Sequence, residues 1–110
     1  MTVDTKLLNG AMGLLLLDVL NKGESYGYAI TTHVRNASGG RFEFKEGSLY
    51  PALHRLERDE LIESFWVERP GERRRKYYRI TAAGQAELQA QQRNWFEFTA
   101  GMNGVLGAQP

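Results

Sequence analysis

The spacing of apolar positions predicts a mainly helical chain that is interrupted once by extended structure. Residues 5–22 carry apolar side chains around most of the helical circumference, a pattern typical of a helix covered on several sides. Because a chain of 110 residues can hardly provide all of that cover, the pattern indicates a second chain. Ser25 is the expected N-cap of a second helix that ends near Asn36. The buried stripe of this second helix consists of Tyr26, Ala29, Ile30 and Val34.

A third helix is expected from residue 47 or 48 to about residue 59, after a short extended stretch. Phe42 and Phe44 alternate as in a short strand or an extended linker packed on the core. Pro51 has no N–H group and is tolerated in the first turn of a helix, so the helix cannot begin much before Gly47. The buried face of the third helix consists of Leu49, Leu53 and Leu56.

The apolar spacing then changes from helical to alternating. Residues 62–68 and 74–80 are rich in β-branched and aromatic side chains, and the turn-rich stretch 69–73 lies between them. This arrangement predicts a β-hairpin with a basic tip and a basic return strand.

The last predicted helix carries a heptad seam. Thr81 is its expected N-cap, and the helix is predicted to run from Ala82 to about Met102. Seam positions recur at alternating spacings of three and four residues, as in a coiled coil. The seam consists of Leu88, Gln91, Trp95, Phe98, Met102 and Val105.

The predicted order of helix, helix, helix, hairpin and helix is that of a winged helix-turn-helix, a mainly α fold with a small β-hairpin. We therefore predict a winged-helix DNA-binding domain over residues 1–80, whose first helix also contributes to a dimer interface. Residues 81–110 form a C-terminal dimerisation helix and tail in this prediction.

The net charge of +1 hides a strong asymmetry. Residues 69–79 hold six basic side chains against Glu72, a net charge of +5, whereas the other 99 residues hold 8 basic and 12 acidic side chains, a net charge of −4. A concentrated positive field of this kind is typical of contact with a polyanion such as double-stranded DNA. On charge alone, a solvated hairpin tip explains the segment equally well.

Several classes of function are excluded by what the chain lacks. It contains no cysteine, which excludes disulfide scaffolds and thiolate zinc sites and suits a reducing cytoplasm. The two histidines, His33 and His54, lie on different predicted helices, and no HExxH, P-loop, GxGxxG or GxSxG motif occurs. We therefore expect no metal, no cofactor and no catalytic site. The longest apolar run, Leu14 to Leu17, is far shorter than the roughly 20 residues of a membrane span, so we expect a cytoplasmic protein without membrane contact.

The third helix is the expected DNA-reading element, because the second helix of a helix-turn-helix lies in the major groove. Tyr50, His54 and Arg58 are four residues apart and share one face, and all three side chains can hydrogen-bond to base edges. In the alternative interpretation, Tyr50 is half-buried and Arg58 pairs with an acidic neighbour. The residues of this helix that are predicted to face outward are Ser48, Tyr50, Pro51, His54, Arg55 and Arg58.

The basic hairpin tip is expected to contact the DNA backbone beside that helix. Guanidinium and ammonium groups neutralise phosphates, and arginine also enters narrow minor grooves. Because side chains alternate along a strand, Arg73 and Arg75 are predicted to face one way, and Arg74 and Lys76 the other. At the start of the second helix, Tyr28 is a candidate for a hydrogen bond from its phenol to a phosphate.

Three motifs of this chain together resemble the PadR family of bacterial transcriptional regulators. They are Gly27-Tyr28-Ala29-Ile30, then Gly47-Ser48-Leu49-Tyr50-Pro51-Ala52-Leu53-His54-Arg55-Leu56-Glu57, then Arg74-Arg75-Lys76-Tyr77-Tyr78-Arg79-Ile80-Thr81-Ala82-Ala83-Gly84. The resemblance covers about residues 10–90. It implies a winged-helix homodimer that represses transcription at operator DNA, and many members of the family release DNA when a small molecule binds. The single C-terminal helix resembles the compact branch of the family, and Glu60 stands where the family usually has glycine.

The resemblance also assigns roles to the first and last helices, which would cover each other across a two-fold axis. In compact drug-sensing members, a tryptophan of the last helix lines a pore between the subunits, and Trp95 in Asn94-Trp95-Phe96 occupies a matching place. Trp95 and Phe96 are therefore candidates for binding a small aromatic effector; the alternative, which the neighbouring Phe96 and Phe98 favour, is that Trp95 is a seam residue that fills the interface. The expected interface residues are Leu8, Met12, Leu15, Leu88, Trp95, Phe98 and Met102. The alternative function is a winged-helix protein-interaction module without sequence-specific DNA binding.

Overall fold

The computed structural model describes residues 2–107, which form four helices and a small three-stranded sheet. The mainly helical fold with a hairpin before the last helix is as predicted, and the sheet has one strand more than expected. The elements in chain order are α1 (Thr5–Lys22), β1 (Ser25–Tyr26), α2 (Gly27–Ala37), α3 (Glu46–Arg58), β2 (Ile62–Val67), β3 (Arg75–Ile80) and α4 (Ala82–Leu106).

Helix α1 is the centre of the core, and the chain itself covers most of it. It packs against α2, α3, α4 and β3, and Leu16 and Leu17 are fully buried. The chain itself therefore covers more of the apolar circumference than the sequence indicated, because four elements pack against α1, while Leu14 and Leu15 remain partly exposed. Leu7, which is 71% exposed, remains outside the core.

Three residues that the sequence assigned to a dimer interface lie instead in the chain's own core. Leu8, Met12 and Leu88 are 4%, 2% and 2% exposed, so a second copy could reach them only by opening the fold. The reason is the antiparallel packing of α4 on α1. Across this contact, the side-chain amide of Gln85 donates to Asn21 Oδ1 at 3.2 Å, and that of Gln92 donates to Asp18 Oδ1 at 3.4 Å.

The start of α2 differs from the prediction. Ser25 does not cap the helix; it pairs with Tyr78 of β3, and Tyr26 pairs with Tyr77, which makes β1 a short antiparallel edge strand. The helix begins at Gly27, with Tyr26 as an N-cap residue whose side chain makes no capping hydrogen bond. The strand order is therefore β1-β3-β2, and β3 lies in the middle.

Helix α3 begins at Glu46, slightly earlier than expected, so Pro51 lies in its second turn and not in its first. Because proline has no N–H, the carbonyl of Gly47 has no intrahelical donor at that turn. The preceding stretch is an irregular extended linker, not a strand, and Phe44 anchors it in the core. Arg35 donates from Nε and Nη2 to the carboxylate of Glu43 at 2.7 and 3.2 Å, and this contact raises the pKa of Arg35.

The junction between α3 and β2 is closed by a residue with left-handed backbone geometry. Glu60 has φ 62°; its N–H donates to the Glu57 carbonyl at 3.0 Å, and that of Leu61 donates to the Leu56 carbonyl at 2.9 Å. These two bonds form the helix-ending motif in which glycine is the favoured residue. The Thr81 hydroxyl ties this junction to α4, because it donates to the Glu60 carbonyl at 2.8 Å and accepts from Gly84 N at 3.0 Å.

Candidate nucleic-acid interface

The outer face of α3 is a continuous polar surface. The inner face of α3 is buried and consists of leucine and alanine side chains at four positions. Ser48 is half-buried at the N-terminal end of the helix. Arg58 lies 3.8 Å from the carboxylate of Asp59, and both side chains are well exposed. Asp59 is the acidic neighbour of the alternative interpretation, but a pair this open contributes little to stability. The exposed residues on this face are Tyr50, Pro51, His54, Arg55 and Arg58.

Tyr50 is held against the start of α2. Its side chain is 39% exposed, and the hydroxyl end of its ring approaches Gly27. A methyl group added to Gly27 would overlap the Tyr50 hydroxyl and stand 3.0 Å from Cζ. Tyr50 is therefore partly covered at its hydroxyl end, and more than a third of its side chain remains exposed to solvent.

The C-terminal half of α3 is held against the sheet by Glu57. Its carboxylate accepts a hydrogen bond from the Ser64 hydroxyl of β2 at 2.5 Å. Tyr78 of β3 is buried next to it, and burial raises the pKa of the Tyr78 hydroxyl, with further contributions from Glu57 and Tyr50. Tyr78 therefore stays a neutral phenol, and α3 is fixed both to α2 and to the sheet.

The basic side chains of the hairpin stack on aromatic rings on both faces, as the alternation predicts. On one face, the Arg74 guanidinium lies 4.2 Å from the ring centroid of Trp66, and Lys76 Nζ lies 5.7 Å from that of Tyr78. On the other face, the Arg75 guanidinium lies 4.5 Å from the ring centroid of Tyr26. Such stacking restricts the long side chains without neutralising them, so they keep their charge and lose some of their freedom.

Arg79 is different from the other basic residues of the hairpin. Its guanidinium donates to Glu63 at 2.9 Å and to Glu24 at 3.3 Å, and it lies over the Phe65 ring. By contrast, Arg74 has a single carboxylate contact, to Glu68 at 3.5 Å. The positive field of the segment is therefore concentrated at the tip, where Arg73, Arg74, Arg75 and Lys76 lie, and not along the whole return strand.

A three-residue segment, Tyr26-Gly27-Tyr28, joins the two parts of this surface. The Tyr26 ring lies beneath Arg75 and 5.1 Å from the Tyr77 ring, Gly27 supports Tyr50, and the Tyr28 side chain is exposed. Tyr28 is the candidate that the sequence offers in this segment, whereas the contacts of Tyr26 and Gly27 are visible only in the structure. The position of Tyr26 depends on the pairing of β1 with β3, and that of Gly27 on the approach of Tyr50; a two-residue strand has no alternating pattern that would predict either.

A second feature of the surface is an apolar groove between α1 and α4. It has a volume of about 680 Å³, and Leu7, Leu15, Trp95, Phe96 and Phe98 are among its lining residues. The Trp95 and Phe98 rings are 5.8 Å apart and largely exposed. Beyond the groove, the end of α4 presents further exposed apolar side chains, those of Met102, Val105 and Leu106.

Residues 2–107 contain neither a metal-binding cluster nor a helix that could span a membrane. Within that range, no group of three or more histidine, aspartate or glutamate side chains is placed to hold a metal ion. None of the four helices in the same range is both long enough and apolar enough to cross a membrane.

Comparison with known proteins gives a consistent result over nearly the whole chain. The sequence profile described as the transcriptional regulator PadR-like family matches residues 16–90. The structure of a transcriptional regulator from Clostridium thermocellum is similar, with a TM-score of 0.83 and 31% identity, over 91% of this chain and 97% of that one. A PadR family transcription regulator from Clostridium difficile has a TM-score of 0.77 and 34% identity, over 88% and 99% of the two chains. In sequence, an uncharacterized protein X of Lysinibacillus sphaericus is 33% identical over 86% of this chain and 87% of its own length.

Proposed function

The chain belongs to the PadR-like family of transcriptional regulators, and on that premise we propose that it is a repressor that binds operator DNA as a homodimer. Members of this family regulate transcription, so the chain is a DNA-binding regulator and not an enzyme. The observation that carries the proposal is the exposed polar face of α3 next to a hairpin whose tip holds four basic side chains. In this proposal residues 1–80 bind DNA and residues 81–110 hold the dimer together.

Helix α3 reads base edges in the major groove in this proposal. Tyr50, His54 and Arg58 supply hydrogen bonds to bases, since their side chains can donate or accept in the plane of a base edge. Ser48, Pro51 and Arg55 flank this row and contact the backbone. The phenol of Tyr28 reaches a phosphate, as do the basic side chains of the hairpin tip, namely Arg73, Arg74, Arg75 and Lys76.

Substitutions in α3 and in the hairpin are expected to affect DNA binding differently. Arg74→Ala and Arg75→Ala should weaken binding to every duplex and lower the salt slope by up to about one unit per lost phosphate contact. Tyr50→Ala and His54→Ala should weaken binding to the cognate duplex more than binding to a scrambled duplex. The difference in binding free energy should be roughly 1–3 kcal/mol for a lost base contact. The measurement is a fluorescence titration of both duplexes at several salt concentrations.

Arg79→Ala is the matched control for the hairpin, because Arg79 lies on the same strand but is paired with two glutamates. It should leave the salt slope unchanged. If the α3 substitutions lower the affinity for both duplexes equally, the helix contacts only the DNA backbone. Binding that is weak and independent of salt would favour the protein-interaction module instead.

The proposed dimer places the α4 helix of a second copy on the groove between α1 and α4. Soluble monomers rarely expose a contiguous apolar patch of this kind, and exposed aliphatic side chains extend it along the end of α4. Two recognition helices related by a two-fold axis would then read half-sites about 34–36 Å apart, one turn of DNA. Of the interface residues predicted from the sequence, Leu15, Trp95, Phe98 and Met102 remain accessible enough for this contact.

The part of this groove that stays open between the two subunits is the proposed site for a small aromatic effector. Trp95 and Phe96 both line it, and a planar molecule could stack on their rings. An effector can release DNA only by favouring one relative arrangement of the two subunits, and its coupling to DNA binding is then reciprocal.

Planar cationic dyes and phenolic acids are expected to quench the fluorescence of Trp95. The titration uses the Trp66→Phe variant, so that Trp95 is the sole tryptophan. Quenching should weaken when the cognate duplex is present, because of that reciprocal coupling. If no compound quenches Trp95 while the dimer stays intact, Trp95 is an interface packing residue and the effector proposal is wrong.

A further inference from the structure

We infer that Gly27 is a positioning residue for DNA recognition: because it has no side chain, the phenol of Tyr50 can lie against the start of α2 and be held there. The inference rests on the proposed function, in which Tyr50 contacts a base. It adds a residue of α2 that touches no DNA but determines the geometry of one that does.

The need for glycine at this position comes from Tyr50 and not from the backbone. Gly27 is buried and has an ordinary helical conformation, without the positive φ that favours glycine elsewhere. An alanine could therefore adopt the same backbone. Its methyl group, however, would overlap the Tyr50 hydroxyl and stand 3.0 and 3.3 Å from Cζ and Cε1, whereas ordinary contacts between carbon atoms are about 3.5–4.0 Å.

Relief of this overlap would move the phenol and leave the fold intact. The atoms in the way belong to the far end of one side chain, which can rotate about its own bonds toward solvent, where it is already partly exposed. The new position of the hydroxyl would no longer match the hydrogen-bonding pattern of the base that it contacts. Contacts between the hairpin and phosphates would persist, because Arg75 lies over the Tyr26 ring and not over Gly27.

The expected result is a loss of specificity without a loss of stability. The probe is the duplex that the wild-type protein enriches from a random pool, compared with a scrambled duplex of the same composition. Gly27→Ala should weaken binding to the enriched duplex by about tenfold, within the range of one base contact. It should leave the affinity for the scrambled duplex and the salt dependence of binding unchanged. Its thermal unfolding midpoint should stay close to that of the wild type.

Gly13→Ala is the matched control, because it introduces the same methyl group in a helix where no atom lies within 4 Å of it. This variant should bind both duplexes with the affinity of the wild type. The decisive measurement is the double variant: in a Tyr50→Ala background, where the phenol is gone, Gly27→Ala should have no further effect on the enriched duplex.

Two results would overturn the inference. An equal loss from Gly27→Ala in both backgrounds would mean that Gly27 does not act through Tyr50. Full affinity of Gly27→Ala, with Tyr50→Ala impaired, would mean that Tyr50 needs no such support. If Tyr50→Ala itself binds normally, the base contact of the proposed function is wrong as well, so the two failures can be told apart.

Discussion

Replacing Trp95 and Phe98 together by aspartate is expected to convert the dimer into a folded monomer and to weaken binding to the operator by about a hundredfold or more. Both side chains are exposed in the single chain, at 44% and 56%, so the fold of the subunit should survive. Two buried carboxylates in an apolar interface would lack partners and oppose association. Loss of the second recognition helix removes an avidity gain of about 10²–10⁴.

The matched control places two aspartates on another face of the same helix. Ala86→Asp with Gln89→Asp adds the same charge at exposed positions away from the groove. Sedimentation should show a dimer for the wild type and for this control, and a monomer for the Trp95→Asp, Phe98→Asp variant. Circular dichroism should show that all three are folded. A wild-type protein that sediments as a monomer at micromolar concentration would contradict the proposed dimer.

Gly84→Ala is expected to destabilise the protein by about 3 kcal/mol, at the upper end of the usual overpacking range. A methyl group there would overlap the carbonyl oxygen of Leu61 and stand 2.6 Å from Ile80 Cγ1. Unlike the contact at Gly27, the obstacle is backbone and cannot rotate away. The α4 helix would have to move off the α3–β2 junction, which would disturb the hydrogen bonds of Thr81 to that junction.

Glu60→Gly is a control at the same junction, and it is expected to stabilise the protein where Gly84→Ala destabilises it. Left-handed geometry costs a residue with a side chain roughly 1–2 kcal/mol, and part of the gain is lost to the greater freedom of glycine in the unfolded chain. A net stabilisation of about 0.5–1 kcal/mol is expected. Thermal unfolding at one fixed protein concentration measures the stability change of both variants. The midpoint of Gly84→Ala should be roughly 10–20 °C lower than that of the wild type. An unchanged midpoint in Gly84→Ala would show that the junction can open without cost.

The helices and the hairpin could be predicted because each has a local periodic signal. The start of α2 could not, because β1 consists of two residues and exists only through pairing with β3. The same applies to Gly27 and Gly84, whose roles depend on what lies opposite them in space. In the sequence alone, both glycines are indistinguishable from Gly13, which faces open space.

The candidate interface with a second copy shows a different limit of sequence reasoning. A seam with spacings of three and four residues identifies an apolar face but does not tell which chain covers it. In α4 the seam is divided: Leu88 packs into the chain's own core, whereas Trp95 and Phe98 remain exposed. The division lies within the contact between α1 and α4: Gln85 and Gln92 form hydrogen bonds to α1, whereas Trp95 and Phe98 line the open groove between the two helices. This depends on tertiary packing.

Most of the exposed side chains of α3 and of the hairpin tip could be predicted, since exposure follows from the position of the buried leucines and from strand alternation; in α3, Ser48 is the exception, because it is half-buried. What supports those side chains was not predictable. Arg75 rests on Tyr26 and Arg74 on Trp66, and these contacts join residues of different strands or turns. Arg79 belongs to the same basic segment, yet it forms ion pairs with two glutamates.

Selection of bound duplexes from a random DNA pool tests the central claim most directly, because one experiment reports specificity, symmetry and spacing. A homodimer that reads DNA with α3 should enrich an inverted repeat whose half-sites are centred about one helical turn, 10–10.5 base pairs, apart. The Tyr50→Ala variant should lose enrichment at the base that Tyr50 contacts. A pool that remains random after repeated rounds, or a site without two-fold symmetry, would contradict this account of the protein.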